Sequence, residues 1–529
     1  MKVRIVLWMM LASVPAAAQP DEVVRAALYL TGADSPEELE ERFLEELESL
    51  HNHPLPLNRA SRARLLESGL LTPYQTAALE EYRSASGDIL SFAELERVDG
   101  FGKEAVAALR PFLSLDSSRM PGETGRDTLR FGHSALLRAT LKDVGAKYRL
   151  TAGRFEGAGA LKGKTGTFYA LYRLRKGKVL VGDYNVRYGQ GLAFWSAFKL
   201  SGLTTLDAFS KRANGLTPSW SFSGTGTLRG LAWDYTGRHL QFAVFGALDG
   251  TVGGRAGWLG RNGQAGLTLS RKRIALDGKY GFRGVDFFGE AVWQGRTGAG
   301  LGGCLFPMGE HWKGAVQFRA VPSAYSGKKN GEYGAAAGLG FRSDDRTLTA
   351  SWTVDAVLQP IPEQDPRRRQ VQSTVLSSWQ PDASWLLESR AVLRWRSYAA
   401  THADLRADAA WTRGVWTVKW RLNGVYDGHF GALAYLEGGW KPPGGTGWLR
   451  LTVFSTPDWQ SRIYCYERDA PGNFTVPAYY GTGFSAMAYA GWKWRIRRTT
   501  LKLYLRASYL YKTDKPGQAG LKLQLSADR

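Results

Sequence analysis

Only two cysteines occur in the 529 residues, Cys304 and Cys465. No Cys/His spacing of a zinc or iron–sulfur site is present, and two distant thiols do not define a disulfide from sequence. Beyond the N-terminus there is no run of about 18 apolar residues, so no helix of this chain is built to cross a bilayer. A hydrolase elbow, a Walker loop and a His-Glu-x-x-His helix are also missing. Carboxylates such as Glu388, Asp404 and Asp408 sit among Arg390, Arg394 and Arg406. Structural ion pairs explain that mixture better than acid–base pairs do. The expectation is a non-enzymatic chain with no cofactor and no metal.

Glycine, tryptophan and positive charge are what the chain does have. Sixty-three Gly and 19 Trp point to a β-rich chain with many turns, and a formal charge of +21 points to polyanions as partners. Residues 1–18 read as a secretory signal. Lys2 and Arg4 supply the charge, Ile5 to Leu11 the apolar core, and Ala16-Ala17-Ala18 the small residues before Gln19, the expected mature start. No cysteine follows that site, so the chain does not read as a lipoprotein.

Residues 19–56 read as an acidic helical arm, with a net charge of about −8 between Asp21 and Leu50. Val23, Val24, Ala27 and Leu28 form one apolar stripe. Leu39, Phe43, Leu44 and Leu47 form another, behind Ser35 as N-cap and Pro36 at the first helical position. Taken alone, this arm is a solvated helical support.

Residues 57–115 hold a sharper pattern. Val98-Asp99-Gly100-Phe101-Gly102 lies between two short helices, Phe92 to Arg97 and Lys103 to Phe112, and a weaker echo centres on Gly69-Leu70-Leu71. Leu57-Asn58-x-Ala60-Ser61, Tyr82-Arg83 with Gly87, and Gly100-Phe101-Gly102 complete the set. These stand where the tandem helix-hairpin-helix domain of the competence DNA receptor family has its opening turn, central linker and second hairpin tip, and the stretch resembles that domain. The resemblance implies DNA binding at Gly100, Phe101, Gly102 and Lys103, where backbone N–H groups at such a tip point at a phosphate. Arg59, Arg62 and Arg64 would add a basic cluster. Against this, the first tip lacks its second glycine, Asp99 sits at the second tip, and the net charge of residues 57–119 is close to zero. Non-specific DNA binding rests on many phosphate neutralisations, so a packing or protein-docking module on the same fold stays open.

After a linker at residues 116–127 the period changes. Trp416, Val418, Trp420 and Leu422 alternate with Thr417, Lys419, Arg421 and Asn423, and Leu501, Leu503 and Leu505 alternate with Lys502, Tyr504 and Arg506. Period two with one apolar and one polar face is a strand between unlike solvents. Such segments recur to the chain end, bounded by turns such as Asp249-Gly250 and Asp427-Gly428. The fold class expected is multidomain: a small all-α helix-hairpin-helix domain followed by a large antiparallel transmembrane β-barrel. Residues 128–529 would supply about 16 to 20 strands. Residues 193–223 show no clean period but hold Phe194, Trp195, Phe198, Phe209 and Trp220, and are expected to fold into the lumen as a constriction or plug, with a long surface loop as the alternative.

The order of parts, with Gly182-Asp183-Tyr184…Tyr188-Gly189-Gln190-Gly191-Leu192 and Arg212…Gly215-Leu216-x-Pro218, resembles the large helix-hairpin-helix outer-membrane proteins of Bacteroidota. The resemblance implies an outer-membrane barrel in contact with lipid, with its N-terminal domain in the periplasm. The function read from the chain is binding or passage of a polyanion, with DNA first. Arg394, Arg396, Arg406, Lys419 and Arg421 would act as lumen cations that lower the barrier for phosphate. Two alternatives remain: an envelope scaffold whose helical domain docks a periplasmic protein, and an anion-selective porin with an open lumen.

Overall fold

The computed structural model describes residues 21–116, 131–196, 202–326, 331–359 and 368–529, apart from single positions 40, 53, 223, 225, 261 and 346. The signal segment, residues 117–127 of the linker, and residues 197–201 and 223 of the expected lumen segment lie outside the described residues.

From Phe131 onward the chain is a wall of antiparallel strands, each hydrogen-bonded to the next. The last, Lys515–Asp528, pairs back onto the first, Phe131–Thr140, with Leu525 opposite Leu137. A closed ladder leaves no strand edge unpaired, which is what a strand-built wall in lipid requires. The barrel has 24 strands, which corrects the 16–20 expected from chain length. Tight connections account for the difference. Turns 153–154, 163–164, 283–284 and 497–498 spend only two residues each.

Side chains alternate across the wall. Trp416 and Leu422 are 57% and 63% exposed on the outside, while Thr417 and Arg421 of the same strand are buried within. Leu405, Leu436 and Leu449 continue the apolar exterior, and Trp258, Trp312, Trp379, Trp416 and Trp440 stand exposed beside the turns of one end, as an interface girdle would. That end carries Phe131, Asp528 and short turns. The opposite end carries the long connections 188–227, 322–331, 359–368 and 457–480.

Residues 21–116 form helices Asp21–Thr31, Glu41–Asn52, Arg62–Glu67, Pro73–Ser86, Phe92–Leu95 and Gly102–Leu109. One apolar core runs from Val23, Leu30, Leu44 and Leu47 through Leu57, Leu65 and Leu79 to Val106, Leu109 and Phe112, so the arm and the hairpin region are one packed body. A parallel pairing of Leu55–Pro56 with Leu113–Ser114 closes it. The motif residues are its braces. Asn58 is buried and exchanges hydrogen bonds with Ile89, Nδ2 to Ile89 O and Ile89 N to Oδ1, both 2.9 Å. Arg83 donates to the carbonyls of Leu57, Asn58 and Ala60, which pins the opening turn to the central helix. Thr72 and Gln75 form a capping box at the start of that helix, with Pro73 in its first turn.

This body sits inside the barrel. It meets inward-facing residues of strands spread around the wall, among them Lys313, Arg342, Arg390, Arg406 and Arg421, and the helix Pro73–Ser86 packs against strands Val252–Leu259 and Gly263–Ser270. The sizes agree. A 24-strand wall is roughly 48 Å across between backbones, about 38 Å inside its side chains. A compact body of some 95 residues is about 32 Å across. The sequence reading put this body in the periplasm as a separate domain; the structure encloses it within the wall. It also corrects the reading of the arm as solvated, because the side chain of Asp34 is fully buried against the barrel.

Candidate functional site

The contact between the enclosed helical body, residues 21–116, hereafter the plug, and the wall centres on the short segment that follows the first helix. Glu37 lies on a single 3-10 turn, Pro36–Glu38, started by Pro36 and preceded by Ser35 in extended geometry. Its Oε1 accepts from Arg421 Nη1 at 2.6 Å and from Tyr466 N at 3.0 Å, and its Oε2 from Arg406 Nη1 at 3.2 Å. Asp34 Oδ2 accepts from Arg390 Nε at 3.0 Å. Wall carboxylates complete the network: Asp404 with Arg390, and Asp408 with both Arg406 and Arg421. Burial alone pushes the Glu37 carboxyl up, but Arg421, Arg406 and the Tyr466 N–H outweigh it and hold the group well below the usual carboxylate range. Its neighbour Glu38 goes the other way. Burial and the adjacent Asp34 raise it to about 8, against the opposing pull of Arg390.

A second anchor lies at the short-turn end. Glu104, in the first turn of helix Gly102–Leu109, accepts from Lys313 Nζ at 3.1 Å and pairs with Arg342 Nη2 at 2.5 Å. A third joins plug to loop. Thr205 Oγ1 donates to Gly32 O at 2.6 Å, and Arg212 stacks over Tyr29 at 4.8 Å. Gly32 has φ +75°, and a Cβ there would stand 2.6 Å from Ala208 N, so this close approach requires glycine.

The lumen cations read from sequence all lie on wall strands, but they are engaged rather than open to a passing phosphate. Arg406 and Arg421 hold Glu37. Arg394 donates to Gln372 Oε1 at 2.8 Å, and Arg396 to Asp427 Oδ1 at 2.6 Å. Lys419 is in register with Glu437. A basic lumen at low dielectric gathers counter-charge, and here the chain supplies it. The cluster Arg59, Arg62 and Arg64 is divided. Arg59 and Arg62 line a cleft at the short-turn rim, whereas Arg64 lines a separate cavity between plug and wall, with Lys147 and Glu156.

At the hairpin tip, Gly100 and Gly102 have φ +81° and +67°. Gly100 O accepts from Gln75 Nε2 at 2.7 Å, and a Cβ on Gly100 would lie 2.7 Å from the Tyr74 ring, so the second tip is built against the first hairpin. Phe101 is buried, while Gly102 and Lys103 are exposed. The first tip at Gly69 lies against Asn214 of the long connection 188–227.

The described part of residues 193–223 lies along the inner wall. Gln317 Nε2 donates to Phe209 O at 2.7 Å, Lys279 Nζ to Lys211 O at 2.7 Å, and Phe209 packs on Phe288, Ala315 and Ala336. The connection 457–480 also turns inward. It brings Cys465, buried and unpaired, beside Arg421 and Arg450. The other thiol, Cys304, is also free. Sequence reasoning missed Asp34 and Glu37. The acidic arm was visible, but its partners lie more than 350 positions away in the chain.

No protein-family model matches the chain, and no curated protein is similar to it. Among solved structures, the copper transporter OprC is similar over 76% of this chain and 80% of its own, at 8% identity and a TM-score of 0.43. The translocation pore of the P pilus usher (PapC) is similar over 75% and 98%, at 8% identity and a TM-score of 0.36. The outer-membrane protein opdK from Pseudomonas aeruginosa covers 76% and 98%, at 11% identity and a TM-score of 0.32. At these values the likeness is one of large barrels, and no substrate follows from it.

Proposed function

We propose that this chain is a gated outer-membrane barrel for anionic cargo, with its own helical module as the plug. One observation carries the reading: Glu37 and Asp34 of the plug sit on Arg406, Arg421 and Arg390 of the wall. An apolar seam would make the plug a permanent part of the core. This seam is ionic and buried, so it pairs charges that are costly to leave uncompensated, and a competing anion can take the place of the plug's acids on the wall cations. When the plug moves, the acids leave and three wall guanidiniums face the lumen, where planar forks suit phosphate and carboxylate. The acidic arm is then a built-in competitor for the cargo. Barrels of this kind carry short turns on the periplasmic side and long loops outside, so the short-turn end faces the periplasm in this reading. An anion-selective pore here is a gated one, because the lumen is filled.

The test is conductance of the full chain in planar bilayers. The closed wild-type protein should give small, infrequent openings. The Asp34→Asn, Glu37→Gln double variant should open more often and prefer anions. Equal conductance in the two would remove the gate from the account.

A second reading, DNA at the tip Gly100-Phe101-Gly102 with Lys103, is favoured by the exposure of Gly102 and Lys103 near the short-turn end and by the resemblance to the competence receptors. The full chain in lipid nanodiscs, titrated with duplex DNA across a salt series, tests it. Affinity that falls steeply with salt and weakens in Lys103→Ala supports a phosphate grip, and no binding at low salt removes it.

A further inference from the structure

We propose that the seam between plug and wall at the short-turn end is a binding site for a multiply charged phosphate-type oxyanion, shared by the two bodies. The site needs the plug in place, not its movement, so it stands apart from the gating proposal.

The seam opens into a cleft of ≈ 960 Å³, the size range of pockets that take nucleotide-sized ligands. The plug contributes Arg59, Arg62 and Arg83, and the wall contributes Arg175, Lys176 and Arg238 from two adjacent turns. Among the described residues lining the cleft, two carboxylates, Glu80 and Asp88, face these six cations. At Asp34, Glu37 and Glu104 acid on the plug meets base on the wall. Here base meets base, and two like-charged edges face each other across a gap. An anion in the gap turns that repulsion into two attractions.

Arg62 carries an under-compensated charge into this cleft. Its side chain is only 9% exposed. Nη1 donates to Glu80 Oε2 at 3.0 Å and to Arg238 O at 3.2 Å, so this one residue already touches the wall. Its other nitrogens, Nε and Nη2, have no hydrogen-bond partner among the described residues. A buried guanidinium with one carboxylate and two idle nitrogens is under-compensated, and a buried charge in that condition favours any anion brought near it. Burial, opposed by Glu80, also makes its proton easier to lose than on a free arginine. Arg83 spends its donors on backbone carbonyls but keeps its charge beside the cleft. The excess of cations calls for more than one negative charge per ligand. A phosphate monoester, a pyrophosphate or a run of phosphodiesters meets that need, and a single carboxylate does not.

The experiment is titration calorimetry of the full chain in nanodiscs at low salt, with sodium pyrophosphate in one arm and a short oligothymidylate in the other. Wild-type protein should bind at least one probe. The Arg175→Ala, Lys176→Ala, Arg238→Ala variant, confined to exposed rim turns, should lose roughly tenfold or more in affinity. Arg238→Gln alone should lose less, and guards against a fold defect in the triple variant. Heat-modifiable migration in gels shows that each barrel is folded. Pyrophosphate binding without oligonucleotide binding assigns the site to a free phosphorylated molecule, and competition between the two assigns it to a phosphodiester chain. Absence of binding by both probes, or unchanged binding in the folded triple variant, overturns the proposal.

Discussion

Replacing Glu37 by Gln keeps the shape of the side chain and removes one charge. In the wild-type protein that charge is shared between Arg406 and Arg421, both largely buried, with Asp408 as the remaining acid on both. Breaking a buried pair by removing one partner costs about 3–5 kcal/mol, because the other charge stays behind uncompensated. Asp408 retains part of the balance, so about 2–4 kcal/mol of plug–wall coupling is the expected loss. At 1.4 kcal/mol per decade, the odds of an undocked plug rise roughly 30- to 700-fold. The readout is open probability in planar bilayers, with dye efflux from liposomes as a bulk measure. Glu37→Gln, Arg421→Gln should recover part of the closure, because the stranded cation is gone with the acid. An open probability unchanged in Glu37→Gln, in protein shown to be folded, would refute the reasoning. So would strict additivity of the two substitutions.

Other outcomes follow from the same structure. Glu38 has a folded pKa of about 8, raised by burial and Asp34. The docked plug therefore prefers the protonated carboxyl, and docking should weaken as pH climbs from the ordinary carboxylate range through about 8; leak should rise over that interval and flatten in Glu38→Gln. Glu37 is depressed, so its contribution is full above the ordinary carboxylate range and is lost only as pH falls through its lowered value; mild acid should not open the barrel through this residue. Gly100→Ala should destabilise the plug by about 1–3 kcal/mol, from positive φ and the clash with Tyr74, whereas Gly102→Ala, with open space around it, should cost about 1 kcal/mol; limited proteolysis of the full chain separates them. Leu422→Arg on the outer face should cost about 2–4 kcal/mol in bilayer folding assays if the site lies near mid-membrane, against little for a polar replacement at rim residue Arg175.

The strands were legible wherever the two solvents differ. Trp416 to Leu422 alternates because lipid and lumen select opposite chemistry, and the parity of that strand is the one observed. The count was not legible. Strands such as Thr297–Met308, with Gly298, Gly300, Gly302 and Gly303, carry little alternation, and two-residue turns leave little punctuation. Within the helical body, Asn58, Arg83 and Gly87 stood out by motif; Asn58 and Arg83 brace the opening turn and Gly87 caps helix Pro73–Ser86 at φ +88°, local work that spacing can encode. What stayed hidden was the enclosure of that body. An acidic arm and a basic barrel invite pairing, but sequence does not say which acid meets which arginine. Glu37 and Arg421 are brought together only by closure of the whole wall. The long connections 188–227 and 457–480 were equally opaque, since their inward course is set by wall residues such as Gln317 and Arg450.

The placement of the plug is tested most directly by zero-length carbodiimide cross-linking of the native protein in intact membranes, followed by peptide mass spectrometry. Glu104 and Lys313 lie 3.1 Å apart across the seam, one on the plug and one on the wall. The structure predicts an amide between them, and a helical body that stays attached to the barrel after protease treatment. A Glu104 that forms no such bond, on a helical body freely released by protease from folded barrels, would contradict the account.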